Sequence, residues 1–238
     1  MKKKILVIAA HPDDEILGCG GSLSRFAAEG HECNVLILAE GVTSRDERRD
    51  AEKRKKDIME LHRQSRRSAK IIGVKKVEFS YFPDNRMDSV DLIEVIKVVE
   101  KALDKHKPDI VFTHHHGDLN VDHRVTALAV ETATRPMPGK NISEVYAFEV
   151  LSSTEWAFSN HTDHFHPNYF VDISETIDKK VEAFGVYISE NRPFPFPRSH
   201  EAILSLAKVR GAQSGLMAAE AFCLMRRIVK LPVLASKK

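Results

Sequence analysis

Two polar clusters carry the side chains best suited to chemistry: His11, Asp13, Asp14 and Glu15 in one, and His114, His115, His116, Asp118, Asn120, Asp122 and His123 in the other. His11 and Asp14 stand three apart in a turn opened by Pro12, a spacing that lets an imidazole and a carboxylate aim at one centre while Asp13 faces elsewhere. Adding His123 gives two nitrogens and one oxygen, a ligand set for catalytic zinc that keeps a position open for water. The expectation is one zinc per chain, held by His11, Asp14 and His123. Zinc lowers the pKa of bound water from roughly 15.7 to about 7, so hydroxide is available near neutrality. Asp13 is the neighbouring carboxylate placed to take the proton during attack. Each cluster alone has a plainer reading. The acidic run can complement the dipole of a following helix, and consecutive histidines can form a solvated loop. Only a fold that brings both to one rim favours a site.

The elements predicted from hydrophobic patterning do this. Ile5 to Ala10 is a continuous apolar run that reads as a central strand buried on both faces. A glycine-rich loop, Gly18 to Ser22, then leads to a helix ending at Gly30. Cys33 to Ala39, Val77 to Phe82 and Asp109 to Thr113 repeat the strand signal, separated by a charged helix from about Arg45 to Ile72 and an amphipathic helix capped by Ser89. Strands alternating with helices imply right-handed crossovers. The fold class expected is α/β, a Rossmann-like, mostly parallel sheet flanked by helices on both faces, with a C-terminal extension. In that extension Val145 to Leu151 and Tyr169 to Ile173 read as strands, Ser174 to Tyr187 as a helix capped by Ser174, and Ser199 to Arg210 as another. With no repeat and no clear linker, a single domain over 1–238 is expected, its core 1–135 completed by 136–238. Ligands of such sheets collect outside the carboxyl ends of the strands, and both polar clusters follow strand ends.

Composition narrows the function classes. The 238 residues carry 36 Lys+Arg against 34 Asp+Glu, a formal charge of +2, which makes no electrostatic case for nucleic acid or anionic lipid. No apolar run approaches the ~20 residues of a membrane span. The basic start resembles a signal peptide but is interrupted by His11 to Glu15 before an apolar region of the usual length forms. Cys19, Cys33 and Cys223 are scattered outside any C-x-x-C pair, as suits reduced thiols and a cytoplasmic protein.

Ala10-His11-Pro12-Asp13-Asp14-Glu15 after the first strand and Asn120-Val121-Asp122-His123 after the fourth resemble the PIG-L (LmbE-like) family of zinc-dependent N-deacetylases. Further blocks are similar: Phe82 to Arg86, Phe148 to Trp156, Pro197-Arg198-Ser199, Arg210-Gly211 and Ala219 to Phe222. The resemblance implies a Rossmann-like fold with one zinc that hydrolyses the acetamide of an N-acetylated amino sugar to an amine and acetate. It implies the same roles for His11, Asp14, His123 and Asp13, and makes Asp122 the group that orients a neighbouring imidazole or the water network. Many members have a histidine three before the last zinc ligand, where this chain has Asn120. Asn120 can donate an N–H to the oxyanion but cannot protonate the leaving amine. Asp13 is then expected to serve as acid after acting as base, with His115, His116 and His200 as other candidates.

Substrate contacts are expected at the same rim: Arg45 after the second strand, Asp84 with Arg86 after the third, and His116. Trp156, His161, His164 and His166 form a loop able to close over a sugar ring. The expected partner is a small N-acetyl sugar, with self-association possible and no nucleic acid. Two other readings stand beside this. One is an amidase acting on a larger thiol-sugar conjugate. The other is a non-hydrolytic nucleotide-binding module, suggested by Gly18, Gly20 and Gly21, although these lack the G-x-G-x-x-G spacing.

Overall fold

The apolar runs form the strands expected of them, and the helices return each strand parallel to the last. The computed structural model describes residues 2–158 and 164–229. In chain order its elements are β1 (Lys4–Ala9), α1 (Asp14–Ala28), β2 (Glu32–Ala39), α2 (Lys55–Ile71), β3 (Lys76–Phe82), α3 (Leu92–His106), β4 (Ile110–His114), α4 (Val121–Ala133), β5 (Glu144–Phe148), β6 (Tyr169–Asp172), α5 (Ile177–Phe184), α6 (His200–Ser214) and β7 (Ala219–Arg227).

Among the described residues the strands make one seven-stranded sheet in the order β3-β2-β1-β4-β5-β7-β6. β3, β2, β1, β4 and β5 are parallel. β7 runs antiparallel between β5 and β6. One face buries α1, α2, α5 and α6 side chains such as Leu23, Leu61, Phe184 and Ile203. The other buries Val95, Val99 and Leu103 of α3 and Val130 of α4. The strand order reverses between β1 and β4, so the crevice of a doubly wound sheet opens beyond Ala9 and His114.

Four local expectations are corrected. The glycines 18, 20 and 21 lie inside α1 rather than in a loop, and the helix is interrupted at Cys19 (φ −147°, ψ 20°). A buried pair bridges the break. Lys180 Nζ donates to Leu17 O (2.8 Å) and to Glu220 Oε1 (2.6 Å), while Glu220 accepts from Gly21 N (3.0 Å) and Ser22 N (2.7 Å). Gly18 permits close approach: a Cβ there would lie 2.3 Å from the Phe148 ring. α2 starts at Lys55, not near Arg45, because Asp46 binds Arg54 (2.7 Å) and Arg49 binds Glu40 (2.7 Å), which folds the charged run back on itself. α3 is preceded by Asp91, while the Ser89 hydroxyl donates to Arg86 O. α5 begins after Thr176 rather than Ser174, whose hydroxyl bonds to Asp172. Strand β7 was not anticipated.

Candidate active site

The loop from β1 into α1 and the loop from β4 into α4 meet at the crevice. Asp14 opens α1 and His123 lies in the first turn of α4, so both are fixed by helices. His11 Nδ1 lies 3.3 Å and His123 Nε2 3.2 Å from Asp14 Oδ2, and the two imidazole centroids are 5.4 Å apart. One ligand atom from each of His11, Asp14 and His123 lies within 4.8 Å of the others. Two further groups, His114/Asp118/His123 and His11/Asp84/Asp122, also meet this distance. The second contains a hydrogen-bond contact between His11 Nε2 and Asp122 Oδ2, and in the one with His114 the Nδ1 of that residue is buried with no hydrogen-bond partner among the described residues. In the His11/Asp14/His123 group Asp14 Oδ1 and His123 Nε2 are buried with no hydrogen-bond partner among the described residues. Buried polar atoms left unpaired are rare and costly, and a cation held by these residues would offset that cost.

The far sides of both imidazoles are backed by carboxylates. His11 Nε2 is 3.0 Å from Asp122 Oδ2, which also accepts from Asn85 N (2.7 Å), while Asp122 Oδ1 accepts from Met87 N (2.9 Å). His123 Nδ1 is 3.1 Å from Asp118 Oδ1. Such partners orient metal-binding imidazoles and fix the tautomer. Burial pulls the His11 and His123 pKa values down, but the carboxylates outweigh it: His11 rises well above its ordinary value and His123 to about 9. Burial works against the ionised form of Asp14 and Asp118 as well, yet the imidazoles beside them hold both carboxyls low. Each imidazole and the carboxylate beside it therefore favour one another's charged form.

Asp13 occupies the N-cap position of α1 with φ 110°, a left-handed conformation uncommon for a non-glycine residue, and its side chain caps nothing. Instead Asp13 Oδ2 accepts from Arg198 Nη1 at 2.9 Å, and Arg198 Nε donates to Ser152 Oγ at 2.7 Å. Burial pushes the Asp13 carboxyl well above its ordinary pKa, against the opposing pull of Arg198. Glu15 supports the turn from below. It accepts from Asp13 N (3.0 Å) and the Tyr187 hydroxyl (2.6 Å), and burial pushes its pKa up to about 7. A cavity of about 190 Å³ opens beside Asp13, lined by His11, Arg45, Asp84, Asn120, Glu190 and Arg198 among others.

Comparison with known proteins agrees with this geometry. The family model PIG-L, described as GlcNAc-PI de-N-acetylase, matches residues 6–134. The chain belongs to the PIG-L family. It is 32% identical over 142 residues to an uncharacterized deacetylase of Escherichia coli, YaiS, covering 58% of this chain and 71% of that protein. It is 29% identical over 196 residues to the diacetylchitobiose deacetylase of Thermococcus kodakarensis, covering 79% and 70% respectively. In fold it resembles the N,N'-diacetylchitobiose deacetylase of Pyrococcus horikoshii, with a TM-score of 0.74 over 94% of this chain and 84% of that one, at 23% identity.

Within this PIG-L chain the other residues singled out from sequence fall at different places. Asn120 caps α4: its Oδ1 accepts from Asp122 N (2.8 Å) and its Nδ2 donates to Asn85 Oδ1 (2.7 Å). Asp84 is buried and accepts from Ser44 N (3.0 Å), Ser44 Oγ (2.6 Å) and Asn85 Nδ2 (3.1 Å), so it shapes the cavity wall. Arg45 lines the cavity and binds Glu190 (2.8 Å). His116 is exposed, with its ring 4.4 Å from that of His115, and it lines a different cavity between α4 and β4. His114 Nε2 accepts from Ala10 N (2.9 Å), which ties the ends of β1 and β4 together. His161 lies outside the described residues. The glycines carry no phosphate-loop geometry, since the amides of Gly21 and Ser22 are taken by Glu220. Sequence reasoning missed Arg198, Asp118 and Glu190 as site residues. The Pro197-Arg198-Ser199 block was a signal for the first, and the histidine cluster contained the second.

Proposed function

We propose that this PIG-L protein is a zinc-dependent carbohydrate N-deacetylase that hydrolyses the acetamide of an N-acetylated amino sugar, releasing acetate and an amine. The observation that carries the reading is the gathering of one ligand atom each from His11, Asp14 and His123 within 4.8 Å, with Asp14 Oδ1 and His123 Nε2 buried and without a hydrogen-bond partner among the described residues. His11, Asp14 and His123 would hold the ion, and a nitrogen-oxygen donor set of this kind suits zinc. Zinc bound there supplies a Lewis acid and lowers the pKa of water to about 7.

The chain's own residues supply the rest. Asp13 takes a proton from the attacking water and returns it to the departing amine nitrogen, one carboxyl acting first as base and then as acid. Arg198 holds that carboxyl in place. Asp122 and Asp118 fix the His11 and His123 rings. Asn120 keeps a second amide N–H beyond the one given to Asn85, available to the oxyanion. Arg45 at the cavity wall is assigned to the sugar. Among the described residues no helix is long and apolar enough to cross a membrane. Cys19, Cys33 and Cys223 are unpaired thiols, and we assign the cytoplasm on that ground.

The test is acetate release from N-acetyl sugars by protein stripped with a chelator and then reloaded. Activity is expected to vanish on stripping and return with zinc. Full activity in demonstrably metal-free protein would overturn the reading, and release of a larger acid in place of acetate would favour the amidase.

A further inference from the structure

The two arginines that line the cavity are each paired with a carboxylate, Arg45 with Glu190 and Arg198 with Asp13. Arg45 Nη2 donates to Glu190 Oε1 at 2.8 Å, and Arg198 Nη1 lies 3.8 Å from Glu190 Oε2 while donating to Asp13 at 2.9 Å. Glu190 is itself fixed, because the Ser189 hydroxyl donates to its Oε1 at 2.9 Å. Basic residues of the neighbouring loop are also turned inward: Arg49 to Glu40, Arg54 to Asp46, and Arg86 to the Glu47 carbonyl. The N-terminus of α1, otherwise an anion site, is occupied by its own Asp14 and Glu15. Arg192, on the Glu190 loop, lies over the Phe196 ring at 4.9 Å. The cavity wall thus presents three carboxylates, Asp13, Asp84 and Glu190, against two arginines already paired.

We propose that the substrate is uncharged beside the reacting acetamide, and that Glu190 enforces this by sequestering Arg45, while Asp13 holds Arg198. The proposal rests on the reading of this cavity as the site of an N-acetyl sugar. A phosphate or carboxylate entering it would face the Asp13, Asp84 and Glu190 carboxylates and would have to compete with Glu190 for the Arg45 fork, and recognition of such groups depends on free bidentate donors. Neutral sugar hydroxyls suffer no such exclusion, since each can donate to a carboxylate and accept from a guanidinium N–H at once. Glu190 is a specificity-determining residue on this account. The substrate class is a neutral N-acetylated saccharide rather than a sugar phosphate or a nucleotide-linked sugar.

The test compares N,N'-diacetylchitobiose with its 1-phosphate on zinc-loaded protein. Where acetate is released, the ratio of kcat/KM values is read. Where none is, the same sugars are titrated calorimetrically and the ratio of Kd values is read, so the deacetylase reading can fail separately from this one. The wild type should favour the neutral sugar by about tenfold or more. Glu190→Gln, which keeps the size and removes the charge, should narrow that gap to a few-fold, and adding Arg45→Ala should reopen it. Equal use of both sugars by the wild type, an unchanged gap in Glu190→Gln, or no binding of either sugar would overturn the proposal.

Discussion

An aspartate before a helix ordinarily turns its side chain onto the first free amides. Asp13 holds a left-handed backbone and points to Arg198 instead. A residue kept in such a conformation must be held by its surroundings, and Glu15, Tyr187 and Arg198 do so. Arg198→Ala should therefore lower kcat by about 10- to 100-fold with a smaller change in KM, through loss of position, and Arg198→Lys should recover part of it. An unchanged kcat in steady-state acetate assays would remove Arg198 from the machinery. Asp118→Asn should weaken zinc binding by about 10- to 100-fold in competition with a chelator, because the His123 ring loses its orienting carboxylate. The motif-borne members of this site were readable from sequence because they sit within a few residues of one another at strand ends. Arg198 was signalled only by its Pro197-Arg198-Ser199 block, and its partner was not readable, because it reaches Asp13 across 185 residues of chain and no local pattern encodes that contact.

The elements show the same division. Strands buried on both faces announce themselves as apolar runs, and of the α3 face that spacing predicts, Val95, Ile96, Val99 and Leu103 are buried and Leu92 is half-buried. The start of α2 was misjudged because charges at helical spacing were engaged by Glu40 and Asp46 rather than by one another. β7 escaped notice because it is polar toward its end and gains its identity from β5 and β6. In the interrupted α1, Gly18→Ala should cost about 2–3 kcal/mol in urea unfolding, since the Phe148 ring must move. Lys180→Met should cost about 3–5 kcal/mol by leaving Glu220 buried without its cation; a loss below the error of the measurement would count against the pair as the element that spans the break. Between α2 and β3, His62 stacks on Phe79 at 3.8 Å, and burial first, then Arg66, lowers its pKa to about 4. The unfolded chain then binds a proton that the fold refuses, so stability should fall as pH drops from about 6.5 toward 4, by roughly 1–2 kcal/mol. His62→Leu should flatten that part of the curve of unfolding midpoint against pH.

For the whole molecule, the crevice joins the ends of β1 and β4 with the starts of α1 and α4, so an ion held there ties both halves of the parallel sheet together. Zinc at 1,000 times its Kd should add about 4 kcal/mol to the stability of the fold. The melting temperature should fall by roughly 8–16 °C on chelation, and an unmoved transition in calorimetry would speak against a structural stake in the ion. The sheet order adds a constraint of timing. β6 bonds only to β7, and β7 lies between β6 and β5. As the ribosome delivers the chain from its amino end, β6 emerges with no neighbour to receive it and must wait for the segment synthesised last among the described strands. The early strands can gather their histidines long before then, while β6 stays outside the sheet until translation has passed Arg227.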